Sequence, residues 1–195
     1  MTSLSPERAC AGDRIALKIL ITGGFGAGKT TMVGALSEIT PLNTEERLTA
    51  ASAHVDSLTG VDGKTTTTVS LDFGRRTFTK PLPMTLFLFG TPGQDRFDFM
   101  WDELACNAVG GVVLADTRRL ADAFPALDFF EQRRVPFVVA VNQFDGAAFH
   151  YPADVVRTAL DLPAEVPVVD CDARDPHSAK TVLITLVAHA LAART

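Results

Sequence analysis

The sequence predicts an α/β domain built on a mostly parallel six-stranded sheet, with one antiparallel strand and helices on both faces. Three observations carry this. Apolar runs of strand length alternate with helical patterns, two of those runs lie too close for a crossover helix between them, and the final segment has a clear helical period. A chain of 195 residues that is 47% hydrophobic and 21% charged is the size of one domain and has the apolar content for a core.

Residues 1 to about 13 are polar, include Pro6 and Gly12 and lack periodicity, so a flexible leader is expected ahead of a single domain over 14–195. Strand-length apolar runs follow at Ile15 to Ile21, Val69 to Phe73, Met84 to Phe89, Val109 to Ala115, Phe137 to Val141 and Val166 to Val169. Only about ten residues, Pro81 and Pro83 among them, separate the second run from the third, which predicts an antiparallel hairpin there. The last helix places Val182, Leu183, Leu186, Val187, Ala190 and Leu191 on one face. Between Thr40 and Thr68 a polar stretch without period is too long for an ordinary connection, so a functional loop is expected.

Composition excludes several classes. A net charge of −5 and a pI near 5.3 argue against a nucleic-acid binder, which needs clustered Lys and Arg. Cys10, Cys106 and Cys171 are widely spaced and odd in number, so neither a disulfide framework nor a zinc site is expected. The four histidines show no ligand spacing. No apolar run reaches the roughly 20 residues that span a bilayer, and neither a secretory nor a lipidation signal is present, so a cytoplasmic location is expected, with membrane contact only through partners.

The run Gly23, Gly24, Phe25, Gly26, Ala27, Gly28, Lys29 and Thr30 satisfies GxxxxGK[ST], and it falls between an apolar strand and the helical segment Thr31 to Ser37. In that context glycines let successive N–H groups face a phosphate, the helix adds the positive end of its dipole, Lys29 reaches the β- and γ-phosphates, and the Thr30 hydroxyl ligates Mg²⁺. The fold class then becomes the three-layer G domain of P-loop NTPases. Gly26 and Gly28 also begin a dinucleotide fingerprint, but Thr31 stands where its third glycine belongs. Gly63, Lys64 and Thr65 repeat GKT without the required upstream glycine, and the DFG of Asp72, Phe73 and Gly74 lacks the HRD motif of a kinase.

Three further elements follow in order. GTPGQ at Gly90 to Gln94 succeeds the third strand, with the Gly93 N–H placed for the γ-phosphate and Gln94 for orienting the attacking water. Asn142, Gln143, Phe144 and Asp145 close the fifth strand. A carboxylate there accepts both N–H donors of the guanine edge, and adenine lacks that donor pair. Cys171, Asp172, Ala173 and Arg174 follow the sixth strand, where the Ala173 N–H can meet the base carbonyl.

With these elements in order the chain resembles the Ras-like small GTPases over residues 15 to 192. The runs GGFGAGKTT, LFLFGTPGQDRFDFMWDEL, ADTRRLADAFP, VAVNQFDGA and CDARD look like the conservon-type GTPases of actinobacteria, with a more distant likeness to MglA polarity GTPases. The resemblance implies GTP/GDP binding with Mg²⁺, slow hydrolysis, and signalling through a roadblock-type regulator and a membrane-bound sensor kinase. It implies phosphate roles for Gly28, Lys29, Thr30 and Thr31, a water-orienting role for Gln94, and base reading by Asn142, Asp145 and Ala173. A Mg²⁺-binding switch threonine falls on Thr68, with Thr65, Thr66 and Thr67 as alternatives. The chain departs from the pattern at Gly90, where an Asp opens DxxG, and at Gln143, where a Lys covers the base. No arginine finger is identifiable, though Arg75, Arg76 and Arg96 lie near the switches in sequence. A nucleotide-loaded scaffold with little hydrolysis and an ATP-binding P-loop protein are the alternative functions. After Gln94, the helical spacing of Phe97, Met100, Trp101 and Leu104 predicts core packing, and Phe99, off that face, is expected to be exposed for docking.

Overall fold

The computed structural model describes residues 15–48, 67–80, 83–92, 98–144 and 150–193. The expected leader, Gly93, Gln94, Arg96, Phe97 and Asp145 lie outside the described residues, as do Thr65 and Thr66.

Seven strands form one sheet: β1 (Ile15–Gly23), β2 (Leu42–Leu48), β3 (Thr67–Phe78), β4 (Met84–Gly90), β5 (Ala108–Asp116), β6 (Phe137–Asn142) and β7 (Val168–Cys171), in the order β2-β3-β4-β1-β5-β6-β7. β3 runs against both β2 and β4, and every other neighbouring pair is parallel. The predicted hairpin therefore forms, with Phe73 opposite Phe89 and Asp72 opposite Gly90. The strand beyond the expected six is β2, which lies within the polar stretch after Thr40. Its sequence, LNTEERL, has the charged composition of an edge strand rather than the apolar run of a buried one. β7 starts two residues later than Val166 because Pro167 has no N–H to give the ladder, and pairing with β6 begins at Val139 opposite Val168.

Helices cover both faces. α1 (Lys29–Leu36) and α5 (Pro176–Ala192) pack on one side, where Met32, Val33, Leu36, Val182, Leu183 and Leu186 meet Ile19, Ile21 and Leu88. α2 (Asp98–Ala105), α3 (Phe124–Arg133) and α4 (Ala153–Ala159) pack on the other through Trp101, Leu127, Phe130 and Val156. α5 is capped by Asp175, whose carboxylate accepts from the N–H groups of His177 and Ser178, with Pro176 at the first helical position. Of its predicted apolar face, Val182, Leu183, Leu186 and Ala190 are buried, Val187 is half-buried and Leu191 is exposed. Trp101 packs edge-on against Phe129 at 5.1 Å, in agreement with the core role expected of it. The Phe99 side chain is not among those described.

β5 can lie between β1 and β6 under α3 because Gly111 has no side chain. A Cβ there would come within 2.1 Å of Cζ of the fully buried Phe130. Gly111→Ala is expected to lower stability by about 1–3 kcal/mol through overpacking, seen as a lower midpoint of urea unfolding with an unchanged slope.

Candidate functional site

β1 is buried along its second half and delivers the chain at Gly23 to the C-terminal edge of the sheet, where the loop to α1 begins. Two glycines there are obligatory for different neighbours. Gly23 has φ +137°, and a Cβ on it would meet the Leu114 carbonyl oxygen at 2.5 Å. Gly28 has φ +106°, and a Cβ on it would meet Asn142 Nδ2 at 2.6 Å. Gly28 also caps α1 without any side-chain hydrogen bond, so the first-turn N–H groups remain available to an anion. The Phe25 side chain is exposed at the loop's tip, and Thr31 is exposed on α1.

Lys29 folds back across the loop and donates from Nζ to the carbonyls of Gly23 (2.8 Å) and Gly24 (2.7 Å). Burial lowers its pKa to about 8, against an opposing pull from Asp72. The Thr30 hydroxyl donates to Asp72 Oδ2 at 2.5 Å. Asp72 is buried on β3 and faces Gly90 on β4, where a Cβ would stand 3.1 Å from Asp72 Cβ and 3.2 Å from Oδ2. A carboxylate from the neighbouring strand thus fills the space beside Gly90, the position at which the resembling GTPases carry an aspartate. The sequence reading met Asp72 as part of a DFG decoy and gave it no role in the site. Its site role depends on the β3–β4 register, which no local motif encodes.

At the end of β6, Asn142 is buried and uses both ends of its amide. Nδ2 donates to the Ala27 carbonyl (2.8 Å), and Oδ1 accepts from the Ala173 N–H (2.9 Å). The phosphate loop, the NQFD segment and the loop after β7 are thereby joined at one side chain. Gln143 is half-buried, and its N–H donates to the Cys171 carbonyl (2.8 Å). The Ala173 N–H, read from sequence as a contact for the base, serves Asn142 here. Asp172 accepts from the Arg174 side chain at 2.8 Å, a bond that draws its pKa down to about 2. Thr68 lies on β3 opposite Arg47.

Two arginines named by sequence proximity are engaged elsewhere. Arg75 Nε pairs with Glu38 at 3.1 Å, and the Arg76 guanidinium lies over the Phe78 ring at 6.0 Å. Arg118 and Arg119, after β5, are the ones brought to the site. Arg118 makes a two-toothed pair with the buried carboxylate of Asp116 (2.8 and 2.7 Å) and stacks 3.7 Å from the Phe144 ring. Arg119 donates to the Phe25 carbonyl of the phosphate loop. An Asp two residues before a pair of arginines at a strand end gives no signal of this in sequence, because short charged turns are common there.

A bent amide-lined loop, an uncapped helix start and a partly buried lysine form the constellation that holds a polyphosphate. A protein-family profile described as a conserved hypothetical ATP-binding protein matches residues 21–193, from the end of β1 through α5. The chain belongs to this family. The ATP-binding family membership and the three-layer fold together make it a P-loop nucleotide-binding protein. No curated protein matches the chain.

Because a bound anion favours the charged lysine, binding above pH 8 requires Lys29 to take up a proton, whereas below pH 8 it already carries one. Nucleotide affinity is therefore expected to hold steady near pH 7 and to fall roughly tenfold or more by about pH 9.5, with Lys29→Ala losing most binding at both, as titration of a fluorescent nucleotide would read.

Proposed function

We propose that this P-loop protein is a guanine-nucleotide switch that binds GTP with Mg²⁺ and hydrolyses it slowly to GDP. The observation that carries the reading is the Asn142 amide. It fixes the start of NQFD to the phosphate loop by a buried hydrogen bond, which supports a base-reading role for the sequence that begins there and in which Asp145 is the guanine-reading residue. Guanine presents two N–H donors to such a carboxylate, and adenine would leave it unpaired, which costs about 1–3 kcal/mol or more for a charged group.

In this reading Gly23 to Thr31 and Gly93 hold the phosphates, Gln94 orients water, and Asn142, Gln143, Asp145, Asp172 and Ala173 surround the base. Thr30 and Asp72 fit a Mg²⁺ ion, since a hydroxyl and a carboxylate already meet there at 2.5 Å beside Gly90 and the phosphates supply further oxygens. Thr68 is a further metal contact by resemblance. The ion would neutralise charge on the phosphates. Roadblock-type and sensor-kinase partners rest on the resemblance alone. Among the described residues no helix is long and apolar enough to cross a membrane, and a peripheral position at the inner face of a membrane would come through those partners.

The family's description favours a second reading, ATP binding. Denaturing the purified protein and identifying the released nucleotide separates the two, together with thermal shifts in GTP and ATP, where a ligand at 100 times its dissociation constant adds about 2.7 kcal/mol. Guanine nucleotide is expected, with Asp145→Asn shifting preference to xanthine. Release of ADP or ATP, or full GTP affinity in Asp145→Asn, overturns the guanine assignment. Phosphate release with and without a roadblock-type protein tests the switch against a non-hydrolysing scaffold, and no turnover in either condition rejects the switch. For the metal, Asp72→Ala is expected to raise the Mg²⁺ concentration needed to retain nucleotide by about tenfold or more, measured as GDP dissociation across a magnesium series.

A further inference from the structure

Two arginines after β5 are tied to opposite parts of the site through one carboxylate. Asp116, at the C-terminal end of β5, pairs with Asn142 in the sheet register and is nearly buried. Arg118 holds both of its oxygens, at 2.8 and 2.7 Å, and lies over Phe144, two residues beyond Asn142. Arg119 comes within 3.9 Å of the same Oδ2 and within 3.8 Å of Asp122, while its guanidinium donates to the Phe25 carbonyl and lies 3.3 Å from where a Gly26 Cβ would be. Asp122 in turn closes on the loop from the same side, since a Cβ on Gly24 would meet Asp122 Cβ at 2.5 Å. Burial pushes the Asp116 pKa up, but the hydrogen bonds from Arg118 and the charges of both arginines outweigh it, so the group stays ionised.

The Phe25 carbonyl and the Gly26 N–H belong to one planar trans peptide and point in opposite directions. A guanidinium that holds the Phe25 carbonyl therefore also sets the direction of the Gly26 amide. It also polarises that peptide, making the amide a stronger donor. In the resembling GTPases a lysine occupies the position of Gln143. Here the charged link between the base segment and the phosphate loop runs from Arg118 through the Asp116 carboxylate to Arg119.

We propose that Asp116, Arg118 and Arg119 form a clamp joining the NQFD segment to the phosphate loop, in which Arg119 is a positioning residue that aims the Gly26 amide at the bound nucleotide's outer phosphates. The inference rests on the nucleotide-binding reading above. It places the energetic effect at the outer phosphates rather than at the base or in general stability.

The test compares wild type, R119A and R119Q for binding of GDP and GMP, with ADP and AMP in parallel, alongside melting of the nucleotide-free proteins. R119A is expected to lose about tenfold in affinity for the diphosphate that wild type prefers and much less for the matching monophosphate. R119Q, which keeps a neutral donor, recovers part of that loss. Equal losses for monophosphate and diphosphate, or a diphosphate affinity within twofold of wild type, overturn the clamp and leave the nucleotide reading standing. If wild type itself binds neither diphosphate, the nucleotide reading fails and the clamp with it. D116N provides a second route, with the same selective loss expected because the anchor loses its charge while keeping its shape.

Discussion

The geometry of the site depends on a single buried carboxamide. Asn142 gives a hydrogen bond to the Ala27 carbonyl and takes one from the Ala173 N–H, and only a side chain with both a donor and an acceptor at that length satisfies both backbones. Each group left unpaired would cost about 1–3 kcal/mol in a position this dry. The constraint spreads outward. Asn142 can come this close only because Gly28 lacks a Cβ, and Gly28 can adopt φ +106° only as glycine, so the loop's sharpest bend and the latch that holds it require each other. Strand order supplies the rest. β1 and β6 flank β5, so the phosphate loop and the NQFD segment emerge at the same edge of the sheet.

Charge at this edge is arranged to be completed by an anion. Lys29 is pulled out of water and satisfied by two carbonyls of its own loop, which leaves its pKa near 8. That is an unfavourable setting for an ammonium group, tolerated because a phosphate would replace those carbonyls with a full negative charge. Asp72 supplies the opposing charge from β3, and its side chain and the missing side chain at Gly90 fit as complementary shapes. A carboxylate reaches the Thr30 hydroxyl from β3 instead of β4.

The sequence made the sheet legible wherever a strand was buried on both faces. β1, β5 and β6 are apolar runs with strand propensity, and their alternation with helices marked the sheet as mostly parallel, while the strand order itself came only with the structure. β2 was not legible, because an edge strand of Asn, Thr, Glu and Arg has neither alternation nor an apolar run. At the site, the phosphate loop was readable because its mechanism fixes glycine and lysine at set spacings. Asp72 and Arg119 were not. Each reaches the loop from a distant segment, Asp72 through the β3–β4 register and Arg119 through the turn after β5, and neither belongs to a local pattern. Arg75 and Arg76, suggested by nearness in sequence, sit on an antiparallel strand whose side chains are carried away from the loop as the chain leaves Asp72, toward Glu38 and Phe78.

The family's description names ATP, while the guanine reading is a proposal drawn from the NQFD segment, and the two statements operate at different scales. Everything that the scaffold fixes, from the glycine bends to Lys29, Thr30 and the Asn142 latch, addresses phosphates and the loop's own backbone, and these are common to both nucleotides. Base choice rests on hydrogen-bond donors and acceptors contributed by a few side chains at a loop, which can change without altering any strand or helix that a family profile spans. On the guanine reading, Gln143 in place of a lysine would leave less of the base's surface covered by a long aliphatic stem, so discrimination would fall more heavily on one carboxylate. On the proposed guanine reading, a site built this way would hold a polyphosphate by means of its fold and select its base through Asp145.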